Sequence, residues 1–477
     1  MTELESQNAL KNIVDDWRRN NEPRILEGLK VKTPMELLKL EQLLLILVMQ
    51  LGGLIIAWIL KTRIEDKGFQ KQTTRAFLRG HTEYRHQSNR ATPVRTLFGN
   101  EIKLKGRFCV LKHPDKRHRP GKNGSSVYPA LTALGIRHHT TPALASEVAR
   151  NMTEGSSIKA AQDRLARYGI VLDIKVIKRI SEYFARVGLS VRNAWLKTGG
   201  EAPCPFMPKD ETLAGKRVVL GTDGGRLRTR ETKLGRIPNG KKRHGYNADW
   251  REPKVLVVRT FDEEGKVVRN ELPIYDATLG NADALFELLR AHLNALHIED
   301  ALEIVCVCDG APWIWERMKP MLMGLGVDSS KVTEVLDFYH ALEHITAVAD
   351  GRKIWSPKKR SRWLNSMRHL LIDGKLDALL SEIRKLARGR AASKVKTEIR
   401  YFEQNRGRTR YDLLVEKKLP IGSGATESAI RQIVNMRLKG AGMFWRIENA
   451  EAFLHLRCYL KARRWDTMEK AVFGSAI

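Results

Sequence analysis

The chain has 477 residues, with 84 Lys and Arg against 54 Asp and Glu and a formal net charge of +30. This length allows several domains with a sizeable core, and so large a positive charge indicates a strongly anionic partner, of which nucleic acid is the commonest. The five cysteines form no C-x-x-C pair, which argues against a zinc ribbon or a disulfide framework and favours a reducing, cytoplasmic compartment.

A nearly unbroken apolar run occupies residues 43–60. Its length is just sufficient to cross a membrane, but Gln50 and the pair Gly52-Gly53 interrupt it, and Trp58 alone does not make an aromatic belt. We therefore predict a buried or self-associating helix without membrane insertion. A membrane-tethered basic protein is the alternative that rests on this run.

The N-terminal part is predicted to contain a helical region (1–78) and a basic DNA-binding region (79–200). Within the second region, residues 94–111 have the pattern of a hairpin. Residues 156–169 and 173–188 have apolar positions at helical spacing, with a glycine between the two segments and a basic second segment. This order fits a helix-turn-helix DNA reader, although many helical hairpins share it.

Proline-rich residues 201–208 indicate a domain boundary, because the sequence then changes from helical periodicity to short β-branched runs. The elements predicted after it are strands 217–223, 254–262 and 267–276, helix 282–297, strand 302–308, a helix from Pro312 and strand 332–337. The order β-β-β-α-β-α-β-α is that of a ribonuclease-H-like fold, a mixed sheet with helices on both faces.

The residues that follow this α/β core are helical in pattern. Residues 351–418 are strongly basic and contain no strand-like run, so we predict an all-helical insertion. The insertion divides the predicted catalytic core into a first part (210–350) and a second part (419–477). The predicted fold class is therefore a ribonuclease-H-like α/β core with a helical insertion, preceded by the helical N-terminal region with its helix-turn-helix.

Three carboxylates are the candidate catalytic and metal-binding residues. Asp223 and Asp309 each end a strand-like run before glycine, and Glu427 lies in the first turns of a later predicted helix. The strands that end at Asp223 and Asp309 are neighbours in the predicted topology, so these two side chains should emerge close together. Crowded carboxylates resist ionising unless a cation neutralises them, and hard oxygen ligands suit Mg²⁺ or Mn²⁺. A pair of such ions supports in-line displacement at phosphorus.

Residues 337–344 offer a competing acid and a second motif. Asp337 also ends a strand-like run, but we prefer Asp309 because the central strand should adjoin the first one. Asp337 is expected at the rim of the site or as a helix cap. The stretch from His340 to His344 matches the H-x-x-E-H pattern of inverted zinc peptidases. That short pattern arises easily by chance, and we expect the two histidines to contact DNA phosphate or orient the site.

Several long motifs occur in one order along the chain. They are Thr222-Asp223-Gly224, Cys308-Asp309-Gly310-Ala-Pro-Trp313, Leu336-Asp337-Phe-Tyr-His340-Ala-Leu-Glu-His344, Gly422-Ser423-Gly424-Ala-Thr-Glu427-Ser428, and Asn435-Met-Arg437-Leu-Lys439-Gly-Ala-Gly442-Met-Phe-Trp445. On these motifs the chain, from about Val94 onward, resembles the bacterial insertion-sequence transposases of the DDE class, particularly those of the Kra type. One departure is that Cys109 stands alone where some relatives carry a cysteine-rich finger.

The resemblance implies a catalytic triad of Asp223, Asp309 and Glu427, metal-dependent cleavage at element ends, and strand transfer into a target. It also implies that Arg437, Lys439 and Trp445 face DNA near the site. From the residues themselves, this is a basic loop suited to phosphate with a tryptophan able to stack on an unpaired base. The alternative is a helix end with glycine stops and a core tryptophan.

The function predicted from the sequence is that of a DNA transposase. Its partners would be double-stranded DNA, as element ends and as target, and further copies of the same chain in a homo-oligomer. It would act in the cytoplasm, on the nucleoid. The alternative from another class is a catalytically retired transposase that acts only as a DNA-binding protein.

Overall fold

The computed structural model describes residues 3–112, 126–237, 239–389 and 392–474. The chain forms two compact units. The first runs to Phe184 and includes the C-terminal residues from Val472, and the second is Ala185–Ala471. The finer domain limits derived from the sequence stay a prediction.

The first unit combines helices with a small antiparallel sheet of order β1-β2-β3. Its elements are α1 (Glu3–Leu26), α2 (Pro34–Glu65), α3 (Lys67–Gly80), β1 (Tyr84–Arg95), β2 (Glu101–Leu111), β3 (Ser126–Val127), α4 (Pro129–Ala133), α5 (Pro142–Glu154) and α6 (Ile158–Ala166), and α7 (Ile174–Leu196) continues past the division. The predicted hairpin is present and its first strand begins earlier than expected, at Tyr84. The helices of the predicted helix-turn-helix are also present, while their contact with DNA stays a prediction.

The apolar run lies within α2. A capping box of Thr33 and Glu36 begins this helix, and Asn100 donates from its side-chain amide to the Gly53 carbonyl at 2.8 Å. Leu47 and Leu60 are buried, but six large apolar side chains of the run are exposed: Leu44, Leu45, Ile46, Val48, Leu54 and Ile59. Among the described residues, α2 is long and apolar enough to cross a membrane by length and composition, a test that core helices and signal sequences also pass.

The second unit is built on a five-stranded mixed sheet of order β10-β9-β4-β7-β8. The strands of the second unit are β4 (Arg217–Gly224), β5 (Leu227–Thr232), β6 (Tyr246–Arg251), β7 (Lys254–Thr260), β8 (Ile274–Thr278), β9 (Glu303–Cys308) and β10 (Val332–Leu336). Strands β5 and β6 form a separate two-stranded sheet. β4 pairs in parallel with β9 and antiparallel with β7, and β9 pairs in parallel with β10. This order and these directions are compatible with a ribonuclease-H-like core.

The helices of the second unit follow the predicted order. They are α8 (Ala282–Ala295), α9 (Pro312–Gly324), α10 (Phe338–Asp350), α11 (Pro357–Ile372), α12 (Leu376–Arg384), α13 (Ala392–Gln404), α14 (Tyr411–Glu416), α15 (Gly424–Ile430), α16 (Ile447–Lys461) and α17 (Trp465–Gly474). The described part of 351–418 is helical, as predicted, and shares one core with the sheet: Leu380 and Phe402 belong to the same buried cluster as Val307 and Leu336.

Two predictions about strands need correction. The third core strand begins at Ile274 rather than at residue 267, since Pro273 has no N–H to donate to a ladder and marks where pairing starts. The segment between the predicted strands 217–223 and 254–262, where no strand was expected, forms the β5–β6 hairpin. Every residue of β6 is exposed, so the hairpin lacks the apolar alternation by which a half-buried strand is recognised.

Candidate active site

Parallel pairing of β4 and β9 brings two aspartates to one edge of the sheet. Leu220 of β4 pairs with Cys306 of β9, and Asp223 and Asp309 each lie three residues farther along. One oxygen of Asp223 accepts a hydrogen bond from the Gly224 N–H at 2.6 Å. One oxygen of Asp309 accepts from the Ala311 N–H at 3.0 Å. These local bonds fix how both carboxylates leave the sheet.

Glu427 arrives on α15, which packs against β4. Gly221 is the point of closest approach, because a Cβ atom there would overlap the Thr426 hydroxyl. Thr426 is buried while Glu427, the next residue, is exposed. Gly221, three residues before the end of β4, therefore lets the helix lie directly on the strand and carry Glu427 towards Asp223.

The electrostatics of Asp223 show that these residues lie near one another. Burial, the largest effect, and the charges of Asp309 and Glu427 raise the pKa of Asp223, the Gly224 N–H and His340 lower it, and the net result is a pKa of about 6. The resistance to ionisation that crowding predicts is therefore found at Asp223.

The donor chemistry of this group suits a hard divalent cation, since all three side chains offer carboxylate oxygens. The side chains nevertheless stand apart: in the described part of the chain, no three His, Cys, Asp or Glu side chains converge closely enough to hold a metal ion. Binding would therefore require rotation of at least one of these side chains. Asp223, Asp309 and Glu427 as metal ligands remain a proposal.

Asp337 has a different position from the other strand-end acids. It is buried, caps α10 by accepting from the Tyr339 N–H at 2.9 Å, and bonds the Ser423 hydroxyl. Its own N–H donates to the Cys308 carbonyl at 2.9 Å. Asp337 is thus the helix cap that was expected as one alternative, and it ties α10 to the segment that leads into α15.

The two histidines of the H-x-x-E-H stretch have separate partners. His340 lies 3.4 Å from Glu343 and acts electrostatically on Asp223. His344 bonds Glu398 at 2.6 Å and stacks on Tyr401 with ring centroids 3.7 Å apart. His340 therefore lies at the rim of the carboxylate group, while His344 joins α10 to the insertion helix α13.

Tyr401 is a site residue that the sequence did not indicate. Its ring lies so close to Gly310 that a Cβ there would overlap it. Burial and the charge of Asp309 raise the pKa of Tyr401 well above its usual value. It comes from α13, far from the carboxylates in sequence, and no local pattern signals which insertion residue meets the sheet edge.

The predicted DNA-facing loop is only partly on the surface. Arg437 is 2% exposed and its guanidinium lies 5.1 Å from the Trp445 ring centre, which corrects the expectation that it faces DNA. Trp445 is half-buried and donates from its indole N–H to the Leu438 carbonyl at 3.2 Å. The alternative of a core tryptophan therefore describes these two residues better, because they pack on each other. Lys439 is exposed.

Asn in place of Asp223 should stabilise the metal-free protein above pH 6. The unfolded state releases the Asp223 proton at about pH 4, whereas the folded state keeps it until about pH 6. The stability of the folded protein with Asp223 therefore falls as the pH rises from about 4 to about 6. Each pKa unit corresponds to about 1.4 kcal/mol. Because Asp223 is partly exposed to solvent, we expect Asp223→Asn to increase the free energy of unfolding by about 1–2 kcal/mol. Thermal unfolding in EDTA at pH 4.5 and 7.5 measures it, and equal stability of both proteins at pH 7.5 would contradict the expectation.

Ala in place of Gly221 should impair activity by displacing α15. The added Cβ overlaps the Thr426 hydroxyl, so the helix must move or the hydroxyl must turn away. A displacement of about 1 Å costs roughly 100-fold in a positioned site. The matched variant is Gly221→Ala with Thr426→Ala, which removes the overlapping hydroxyl and should recover much of the rate. Failure of the double variant to recover, with both proteins folded, would show that the contact does not position Glu427.

Comparison with known proteins identifies no family for this chain. No family model matches the chain, and no curated protein matches it. A solved structure, a Drosophila P element transposase strand transfer complex, aligns over 70% of this chain and 81% of that chain, with 12% sequence identity and a TM-score of 0.26. The resemblance to Kra-type transposases, drawn from the motifs, therefore stays a prediction.

Proposed function

We propose that the chain is a DNA transposase, which cleaves DNA at the ends of its own element and joins them to a target. The observation that carries the proposal is that the parallel strands β4 and β9 deliver Asp223 and Asp309 to one sheet edge, while α15, which carries Glu427, packs on β4 at Gly221. The net charge of +30 supports a nucleic-acid substrate. The ordered motifs of the DDE class support the finer assignment to a ribonuclease-H-like transposase of the Kra type.

In this proposal the three carboxylates hold Mg²⁺ or Mn²⁺. Two such ions would activate a water or 3′-hydroxyl and stabilise the leaving oxygen. The chain's own residues do the positioning. Gly224 and Ala311 N–H groups orient the two aspartates, Thr426 against Gly221 sets the place of Glu427, and Asp337 links the β10 end to the entry of α15.

The partners proposed are double-stranded element ends, target DNA and further copies of the chain, in the bacterial cytoplasm. Cleavage of two ends in one complex requires that the subunits assemble with the DNA. The exposed apolar side of α2 is also compatible with attachment to a membrane. Cell fractionation tests this alternative. A protein recovered from the membrane only with detergent would contradict the cytoplasmic assignment.

The test incubates purified full-length chain with labelled duplex that carries the sequences flanking its own gene, with Mg²⁺, Mn²⁺ or EDTA. Metal-dependent cuts at the element boundary, followed by joining to a second DNA, are expected. Binding without cleavage under every metal condition would favour the retired transposase that only binds DNA. Metal-dependent hydrolysis of peptides instead would return the H-x-x-E-H stretch to consideration.

A further inference from the structure

The hairpin of β5 and β6 follows Asp223 at once and has no assigned role in the proposed reaction. Its base is fixed, because the Gly225 N–H donates to the Pro253 carbonyl at 2.8 Å. Trp445 adds a single parallel bridge beside Thr229: its N–H donates to the Arg228 carbonyl at 3.0 Å, and its carbonyl accepts from the Arg230 N–H at 2.8 Å. The hairpin is therefore a fixed projection beside the candidate active site.

The two faces of this hairpin differ in charge. Side chains alternate along a strand, so Arg226, Arg228 and Arg230 share one face, where the pairing register adds Tyr246 and Trp250 from β6. Strands β5 and β6 place no carboxylate on this face, and Glu252, just past β6, lies against Gly224 and 3.7 Å from the Lys254 ammonium. We call the set of Arg226, Arg228, Arg230, Tyr246 and Trp250 the arginine face.

The acids of the hairpin lie on its other side. Glu231 and Asp249 alternate away from the arginine face, and Asp249 pairs there with Arg251 at 3.6 Å. Across residues 226–251 there are nine Lys and Arg against these two acids. The positive charge continues into the connecting loop, where the described residues 241–243 are all basic and exposed.

Aromatic rings hold the arginine side chains in place. A guanidinium over a ring is attracted to it by the ring quadrupole, and the contact restricts the side chain while leaving the N–H edges free to donate. The distances to ring centres are 6.0 Å for Arg226 and 5.4 Å for Arg228 over Trp250, 4.7 Å for Arg228 over Phe444, and 5.6 Å for Arg230 over Tyr246.

We infer that the arginine face binds the sugar-phosphate backbone of the DNA strand that enters the candidate active site. The inference rests on the proposed function and names a surface for its substrate. Alternate residues of a strand stand about 7 Å apart, a spacing similar to that of successive phosphates. The rings are occupied by guanidinium groups, so the surface contacts phosphate and does not stack bases. Such contacts set the register of the DNA without reading sequence.

The test measures binding of full-length protein to a 30-base-pair duplex in EDTA, where cleavage cannot intervene, as a function of NaCl concentration. Removing two phosphate contacts with Arg228→Gln/Arg230→Gln should weaken binding at least tenfold and reduce the slope of log K against log salt by about 1.8. The control variant Arg384→Gln/Arg406→Gln removes two exposed arginines of the helical insertion, each bonded to a carboxylate, and should leave the slope unchanged.

Several outcomes decide the inference. An unchanged slope in the Arg228/Arg230 variant, an equal loss in the control, or no DNA binding by the wild-type chain would each overturn it. Arg228→Lys/Arg230→Lys keeps the charge and should keep most of the slope, which guards against a misfolded glutamine variant. DNA binding is measured here without cleavage. A wild-type chain that binds DNA through the arginine face but never cuts it would contradict the proposed function and would still support this inference.

Discussion

Asn in place of Asp223 is expected to lower DNA cleavage by on the order of 10³-fold or more, with DNA binding in EDTA retained. Loss of one member of a catalytic unit removes most of what the unit contributes, and the neutral amide cannot supply the carboxylate charge that a divalent cation needs. Asp309→Asn and Glu427→Gln should give losses of similar size. Initial rates of end cleavage at fixed Mn²⁺ concentration measure each effect.

Non-additivity provides the sharper form of this test. Asp223→Asn combined with Asp309→Asn should be no slower than either single variant, because residues that act as one unit are not independent. The matched control is Glu343→Gln, an exposed carboxylate beside His340, which should keep near wild-type cleavage. Mn²⁺ binding measured by calorimetry gives a readout independent of turnover. Wild-type affinity for Mn²⁺ in all three single variants would remove these residues from the proposed metal site.

Asn in place of Asp276 is expected to cause the largest loss of stability. The Asp276 carboxylate is fully buried, accepts from Arg192 at 2.9 Å and contacts His292 at 3.1 Å. Arg192 also bonds Glu451 at 2.8 Å, and His455 lies 3.5 Å from Asp276, so two acids face one arginine and two histidines. Burial lowers the pKa of His455 and favours its neutral form. Although burial opposes it, the bond to Asp276 raises the pKa of His292 to about 9, which makes the group neutral when His292 is protonated.

Removing Asp276 takes away the carboxylate that holds the proton on buried His292 and leaves Arg192 with Glu451 as its acidic partner. Breaking a buried ion pair from one side costs about 3–5 kcal/mol, which for a unit of this size lowers the melting temperature by roughly 10 °C. Asp283→Asn is the control, because Asp283 is exposed and pairs with Arg317 at 2.8 Å on the surface, where about 1 kcal/mol or less is expected. Differential scanning calorimetry at pH 7 compares them, and equal melting temperatures for the two variants would contradict the assigned role of the buried group.

The sequence indicated the parts of the site that depend on local pattern. An apolar run closed by an acid and a glycine predicts a buried strand that delivers a carboxylate to a sheet edge, and β4 and β9 end as that pattern requires. The parallel pairing of these strands then follows from the order of elements. The helical nature of the insertion was also predictable, because helical periodicity repeats every few residues and needs no distant partner.

Other features depended on which distant residues meet. Strand β6 has no apolar alternation, because all of its residues are exposed to solvent. The register of β6 against β5 is therefore set by backbone hydrogen bonds and not by burial of one face of β6. Arg437 looks like a surface cation in sequence, yet the Trp445 ring and the surrounding core bury it.

The acids, their strands and the positive charge can be read from the amino-acid sequence, because they follow from residue type and short-range periodicity. The contacts of Thr426 with Gly221 and of Tyr401 with Gly310, and the shared face of the arginines after Asp223, become visible in the folded chain. These contacts join residues far apart in the chain, and their formation depends on packing of whole elements, which no local pattern encodes.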